Sequence, residues 1–414
     1  MDAKSATEAV FREESGRIIA TLIRLSGSFD RAEEAMQEAF ASALASWPER
    51  GIPRNPAAWI TAAAHRKLID QSRRERTKRE KQDSLRYETA GFTKPDDLEL
   101  EDASMQFPDD RLRLIFTCCH PAINQEGQIA LTLRTLGGLS TSEIAKAFLL
   151  PEPTLAQRLV RAKRKIQGAH IPYEVPSQNQ LPERLVSVQA VIYLIFNEGY
   201  IATAGDQLVR RDLCAEAIRL GRVLCELLPS EMENLGLLAL MLLHDSRRDA
   251  RVRDSQLVTL EEQDRSLWDQ NEISEGLKLV ERVLRNGPSG PYQLQAAIAA
   301  VHARGKTPTD TDWHQIAALY EQLIEFNSSP VIVLNHAVAV AMSAGFEEGL
   351  RQIDALGAPG ELDHYYLFHA ARADILKRMN RLEEAAKAYR RALELAKNQI
   401  EREFLKRRLA ETNG

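Results

Sequence analysis

The chain of 414 residues is too long for one ordinary core and provides for two or three domains. Its composition, 44% hydrophobic and 27% charged, fits a globular protein and excludes a disordered one; no apolar run reaches the roughly 18 residues of a membrane span. The net charge of −5 conceals blocks of +3 over 1–81, −7 over 82–110, +6 over 111–170 and −7 over 171–414, which suggests a nucleic acid at two basic places and a protein partner elsewhere.

The first residues show no basic segment followed by an apolar one, so no signal peptide is expected. Four cysteines (Cys118, Cys119, Cys214, Cys225) make no disulfide framework, and the expected compartment is the reducing cytoplasm.

Nearly every patterned segment has a period near 3.6, and the predicted fold class is all-α with no alternating strand. EAVFREESGRIIATLIRL (8–25) places Val10, Ile18, Leu22 and Leu25 on one stripe. DRAEEAMQEAFASALASW (30–47) opens on an Asp suited to cap a helix and buries Met36, Phe40, Ala43 and Trp47. PERGIPRNP (48–56) breaks the pattern with three prolines and a glycine. AAWITAAAHRKLIDQSRRERTKRE (57–80) is a long helix, apolar first and basic later. Read alone, its basic end faces phosphate or water. Residues 82–108 are dense in acid, weakly periodic and carry Pro95 and Pro108, so they read as a linker.

GLSTSEIAKAFLLPEPTLAQRLVRAKRKI (138–166) is the strongest local signal. Ser140 and Glu143 form a capping box, and Ile144, Ala145 and Phe148 face inward. Leu149–Pro151 make a short turn, Glu152–Pro153–Thr154 open a second helix, and Leu155, Leu159, Ala162 and Ile166 form its buried stripe. Thr154, Gln157, Arg158, Arg161, Lys163, Arg164 and Lys165 remain outside. That is a helix-turn-helix whose second helix offers polar groups to base edges and cations to phosphates.

A proline-rich stretch, IPYEVPSQNQLP (171–182), marks a second boundary, and helical patterning resumes from 183. AGFEEGLRQIDAL (344–356) and NRLEEAAKAYRRAL (380–393) superpose with Phe346 on Leu382, an offset of 36. The second copy has the small-residue and aromatic spacing of a tetratricopeptide helix, which argues for stacked helix pairs.

The order of these motifs resembles an extracytoplasmic-function sigma factor of the sigma-70 family. DRAEEAMQEAF through NPAAWITAAAHRKLIDQSRR is similar to region 2, and the helix-turn-helix is similar to region 4. FNEGYIATAGD (196–206), with LRLIFTCCHPAI (112–123), resembles the subgroup carrying a long tetratricopeptide-like C-terminal extension. The implied domains are region 2 over 8–81, an acidic linker over 82–108, region 4 over 109–170 and a regulatory extension over 183–414.

The resemblance implies a subunit that binds core RNA polymerase, through the β′ clamp and the β subunit, and directs promoter-specific initiation. Glu34, Gln37, Glu38 and Phe40 would meet the clamp. The loop from Trp47 to Asn55 would capture a flipped base of the −10 element, recovering part of its unstacking cost. Trp59, His65, Arg66, Asp70, Arg73 and Arg74 would face −10 DNA; His65 stands where many members carry Asn. Thr154, Gln157, Arg158 and Arg161 would read the −35 element, with Lys163 and Arg164 on phosphates. Ala156 replaces a residue that is usually polar. The acidic linker would suit the basic RNA channel of the polymerase. The extension would act in cis or through a protein partner.

A free-standing helix-turn-helix regulator with a repeat-based sensor is the competing reading. An enzyme has only Cys118–Cys119–His120 behind it. Three successive helical residues point about 100° apart and cannot share one ion. No metal, cofactor or catalytic residue is expected, and the four cysteines read as core. In FNEGY, Phe196 and Tyr200 read as core aromatics.

Overall fold

A computed structural model describes residues 2–83, 110–148, 150–200, 211–253, 256–285, 290–358 and 360–412, with side chains except at 12 and 74–83. The acidic linker beyond residue 83 and residues 201–206 of the FNEGY stretch lie outside the described residues. Among the described residues the fold is all-α, as the 3.6-residue periodicity predicts, apart from one short antiparallel hairpin: β1 (Val252–Arg253) and β2 (Gln256–Leu257). Two residues per strand are too few for an alternation to be read.

The chain divides into two compact units, Met1–Lys146 with Leu150–Val191, and Ala147–Leu149 with Ile192–Gly414. The first holds α1 (Ala3–Ser26), α2 (Phe29–Arg50), α3 (Pro56–Asp83), α4 (Arg111–Cys118), α5 (Gln125–Thr135), nearly all of α6 (Thr141–Ala147), α7 (Glu152–Gly168) and the start of α8 (Leu181–Tyr200). Its core gathers Ile18, Ile19 and Leu22 of α1 with Ala32, Ala35 and Ala39 of α2 and Ile60 and Ala64 of α3. Leu25, expected on the α1 stripe, is exposed, because α1 ends one residue later and Gly27 turns the chain away in a left-handed conformation. Ser28, not Asp30, caps α2; this places Phe29 at the first helical position, where it is buried, and leaves Asp30 in the first turn.

The expected extension starts at 183, yet the first compact unit runs to Val191. Arg184 explains the difference. Its Nη2 donates to the Phe116 carbonyl at 2.7 Å and its guanidinium lies over the Phe116 ring, which ties the start of α8 to α4.

The second unit continues through α9 (Arg211–Leu227), α10 (Met232–Asp245), the hairpin, α11 (Gln270–Leu284), α12 (Pro291–Arg304) and α13 (Trp313–Phe326). It ends with α14 (Pro330–Ala344), α15 (Phe346–Gly357), α16 (Tyr366–Arg378), α17 (Leu382–Leu395) and α18 (Gln399–Ala410). Helix α10 is apolar all round and buried on nearly every side, so it is a central rod for α9, α11 and α12. Helix α18 returns to the hairpin: Arg407 Nη1 donates to Gln256 at 2.6 Å, and Arg408 Nη2 to Glu262 at 2.8 Å.

Two histidines of this unit are half-buried among cations. Burial, with Arg247, Arg251 and His302 nearby, holds His244 well below its ordinary range. Burial, with Arg247 and Arg265, pushes His302 down to about 4. Both are neutral when folded, and the unfolded chain binds more protons between about pH 4 and 6.5. Their contribution is therefore complete above pH 6.5 and is lost as the pH falls toward 4. Half-buried carboxylates such as Glu233 and Glu272, whose values are raised by desolvation, oppose this in the same range. The expected result is differential: His302→Asn flattens the loss of thermal stability between pH 7 and 4.5 relative to the parent chain. Parallel melting curves would place His302 elsewhere.

Candidate nucleic-acid interface

Helix α2 buries Ala32, Ala35, Ala39 and Ala43, so the i, i+3, i+4 set Glu34, Gln37 and Glu38 lies on its exposed face. Glu38 pairs with Lys67 of α3 at 3.3 Å. Phe40, grouped with them from the sequence, differs. Its ring is buried edge-on against Phe11, with centroids 5.2 Å apart. It supports this face from beneath.

The segment from Trp47 to Asn55 is shorter as a loop than its three prolines suggest. Helix α2 runs through Pro48 to Arg50, leaving residues 51–55 between helices. Trp47 is buried in this structure and packs edge-on against Trp59, centroids 5.5 Å apart. Asn55 is exposed at the other end, and its side chain accepts from the Ala58 N–H at 3.1 Å, starting α3.

On α3 the buried stripe is Ile60, Ala64 and Leu68. Arg66, Asp70 and Arg73 recur at i, i+4 and i+7 and are exposed along one edge. His65 is half-buried beside them, and burial with the Arg24 charge nearby lowers its pKa, so it presents a neutral imidazole at pH 7. Arg31 of α2 braces the helix by donating to Ser72 Oγ at 2.5 Å. The Arg74 side chain lies outside the described residues.

The helix-turn-helix is α6 and α7. Glu143 N–H donates to Ser140 Oγ at 3.1 Å and Ser140 N–H to Glu143 Oε2 at 2.7 Å, which completes the capping box. These bonds hold the Glu143 carboxyl below its usual range. Leu155, Leu159, Ala162 and Ile166 are all buried, the stripe read from the sequence. Thr154, Gln157, Arg161 and Arg164 are exposed. Arg158 is partly covered and ion-paired with Glu126 of α5 at 3.1 Å.

Lys163 departs from the expected free cationic edge. Its side chain is 14% exposed, and its ammonium lies 2.9 Å from Asp30 and 3.0 Å from Glu33, both on α2. Asp110 is likewise more than the end of an acidic stretch: it is 2% exposed, and Arg24 Nε of α1 donates to its Oδ2 at 2.7 Å. Tyr173, from the stretch read as a boundary, donates its hydroxyl to the Ala20 carbonyl at 2.8 Å. Gly16 completes the seam: a side chain there would meet the Leu136 carbonyl oxygen at 3.0 Å. The helix-turn-helix and the α1–α3 bundle are thus locked together in one body by ion pairs and a close backbone approach.

Cys118 ends α4 and Cys119 caps it, both buried. Their sulfurs lie 3.3 Å from Thr135 Oγ1 and 3.6 Å from Thr132 Oγ1. Burial pushes both thiols up, that of Cys119 to about 12, so neither supplies a thiolate near neutral pH.

Three family descriptions match in sequence: Sigma-70 region 2 over residues 10–78, Sigma-70, region 4 over residues 113–166, and a family of unknown function (DUF6596) over residues 184–284. An uncharacterized protein of Rhizobium meliloti (strain 1021) is 43% identical over 406 residues, 94% of this chain and 92% of its own length. The region 2 match covers the face of Glu34, Gln37 and Glu38 and the α3 edge, and the region 4 match covers α4 to α7. The chain belongs to the sigma-70 family: it is a sigma factor of the extracytoplasmic-function type, with a C-terminal extension behind region 4.

Proposed function

We propose that this sigma factor docks on core RNA polymerase through Glu34, Gln37 and Glu38. It reads the −10 element with the 51–55 loop and the α3 edge of Arg66, Asp70 and Arg73. It reads the −35 element with Thr154, Gln157 and Arg161, with Arg164 on phosphate. Its helical extension regulates it, in cis or through a protein partner.

The observation that carries this reading is that two exposed polar-cationic helix edges, one on α3 and one on α7, occur in one chain behind sigma-family core packing. A free-standing helix-turn-helix regulator has no use for the first of them. Such a subunit is not an enzyme; its work is positioning and strand opening.

Run-off transcription with purified core polymerase tests the proposal. Full-length chain, or residues 1–191, is expected to bind core and to start transcripts at defined promoters. Failure of both to bind core would refute it. The cut belongs after Val191 and not near 175, because Arg184 anchors the start of α8 to Phe116. An unchanged promoter-dependent rate on truncation would remove the regulatory role of the extension.

Arg164→Ala is expected to weaken binding to all −35 duplexes alike and to reduce the salt slope by about one counterion. Fluorescence anisotropy at several salt concentrations measures this. An unaltered slope would take Arg164 off the phosphate backbone.

A further inference from the structure

We propose that the extension holds a site for a small dianionic oxyanion, a phosphate group free or carried on a small molecule, bound by Arg247, Arg251 and Arg265. The three come from the turn after α10 and the turn before α11. Tyr200 and Trp268 gather them. Arg251 lies over the Tyr200 ring, 3.7 Å from its centre, and donates through Nη1 to the Tyr200 carbonyl. Arg247 Nη2 donates to the Tyr200 hydroxyl at 2.9 Å. The guanidiniums of Arg247 and Arg265 both lie against the Trp268 ring, 6.0 and 4.7 Å from its centre.

Such a cluster needs counter-charge. Arg251 is 7% exposed, and Arg247 and Arg265 are half-buried. Among the described residues none of the three forms an ion pair. Their partners are the Tyr200 hydroxyl and carbonyl, the His244 Nδ1, and the carbonyls of His302 and Gly305. Arg248, the next residue after Arg247, shows the ordinary arrangement: Asp245, Glu272 and Asp269 all pair with it, the last two at 2.8 and 3.5 Å. A cation taken out of water without a counter-ion is costly, and arginine is almost never buried unless paired. Burial first, and the Arg247 charge with it, lowers the pKa of Arg251 and of Arg265. The carboxylates whose charge reaches the cluster are engaged elsewhere. Glu401 accepts from the Tyr366 hydroxyl, and Asp310 from the Thr307 N–H at 2.7 Å.

An anion can reach these groups. Arg247 Nη1, Arg251 Nη2 and Arg265 Nη2 have no partner among the described residues, and unlike the Nε atoms of Arg247 and Arg265 they keep accessible surface. Each Nη carries two N–H donors, so several acceptor oxygens and a double negative charge match the cluster better than one carboxylate does. A phosphate group supplies both near neutral pH. The net charge of −7 over residues 171–414 disfavours a long polyanion, which makes the ligand a small one.

The position suggests what binding does. Tyr200 ends α8, and the three arginines lie on either side of the hairpin, so a bound anion cross-links the end of α8 with both turns. It stabilises that arrangement by mass action. A consequence for transcription rests on the sigma-factor reading above; the site itself does not.

The test uses the full-length chain without polymerase or DNA. It is titrated calorimetrically with inorganic phosphate and with phenyl phosphate, and with sodium chloride at equal ionic strength. One saturable site is expected for the phosphates and none for chloride, with a melting temperature that rises with occupancy. Tighter binding of phenyl phosphate would identify an ester as the ligand, and tighter binding of inorganic phosphate the free ion; both support the site. Arg247→Gln and Arg265→Gln are each expected to weaken phosphate binding roughly tenfold or more. Arg253→Gln, the same loss of charge at an exposed position of the hairpin, should change it less than about twofold. Non-saturable heats, an equal response to chloride, or an affinity unmoved by both inner substitutions would overturn the proposal. Should one inner variant fail to fold, the other decides; should both, the comparison of phosphate with chloride on the parent chain decides. A chain that fails to bind core polymerase yet passes this test would refute the transcriptional reading only.

Discussion

Gly349→Ala is expected to destabilise the second compact unit by about 3 kcal/mol, against the ordinary sign of that substitution. In an exposed helix the exchange gains close to 1 kcal/mol from propensity. Here a Cβ at position 349 would lie 2.3 Å from the Ala341 Cβ, 2.6 Å from the Ala341 Cα and 2.9 Å from the Ala337 carbonyl oxygen. None of those atoms can rotate away, so α14 and α15 must part. Overpacking of this kind costs roughly 1–3 kcal/mol and at times more, and here the whole length of two paired helices is displaced. Urea unfolding of the full-length chain measures it. Gly168→Ala is the control: it sits in the last turn of α7 with nothing within 4 Å of the added carbon, and should be neutral or slightly stabilising. Equal effects of the two substitutions would mean that the α14–α15 approach is looser than described.

Gly349 also shows how far the sequence could be read. The offset of 36 aligns it with Ala385, and the structure starts α15 at Phe346 and α17 at Leu382, the residues that the repeat superposes. Both small residues are buried where a helix of the same pair comes close. The helix-turn-helix was equally legible, since a capping box, a short turn and a four-residue apolar stripe are local features. Contacts across long separations were not. Nothing in the periodicity of α7 distinguishes Lys163 from Arg164, yet one is enclosed by α2 and the other is exposed. Phe40 and Trp47 illustrate a second limit. An aromatic residue at a family's contact position reads as a contact, but a large apolar ring next to a core is buried unless a partner draws it out.

Charge reversal at Asp30 and Glu33 is expected to loosen region 4 and to raise the affinity of the free chain for a −35 duplex about tenfold. The −10 and −35 elements are, by their names, about 25 base pairs apart, on the order of 80 Å along B-DNA. Lys163 lies 2.9 Å from Asp30, on the helix next to the one assigned to −10 DNA. On the proposed reading, a chain in which regions 2 and 4 are bound to each other would not span both elements, and the Lys163, Asp110 and Tyr173 bonds would have to yield on the polymerase. Each partly exposed ion pair contributes up to about 1 kcal/mol, and losing both bonds of Lys163 comes to roughly the 1.4 kcal/mol of a tenfold change. Asp30→Lys with Glu33→Lys removes the Lys163 bonds from the closure and leaves Lys163 free for phosphate; mutating Lys163 itself would remove both bonds and contact together. Anisotropy with a duplex selected from a random pool compares the variants, and small-angle scattering reports the expected expansion. If the double variant bound no better than the parent, the Lys163 closure would not compete with DNA.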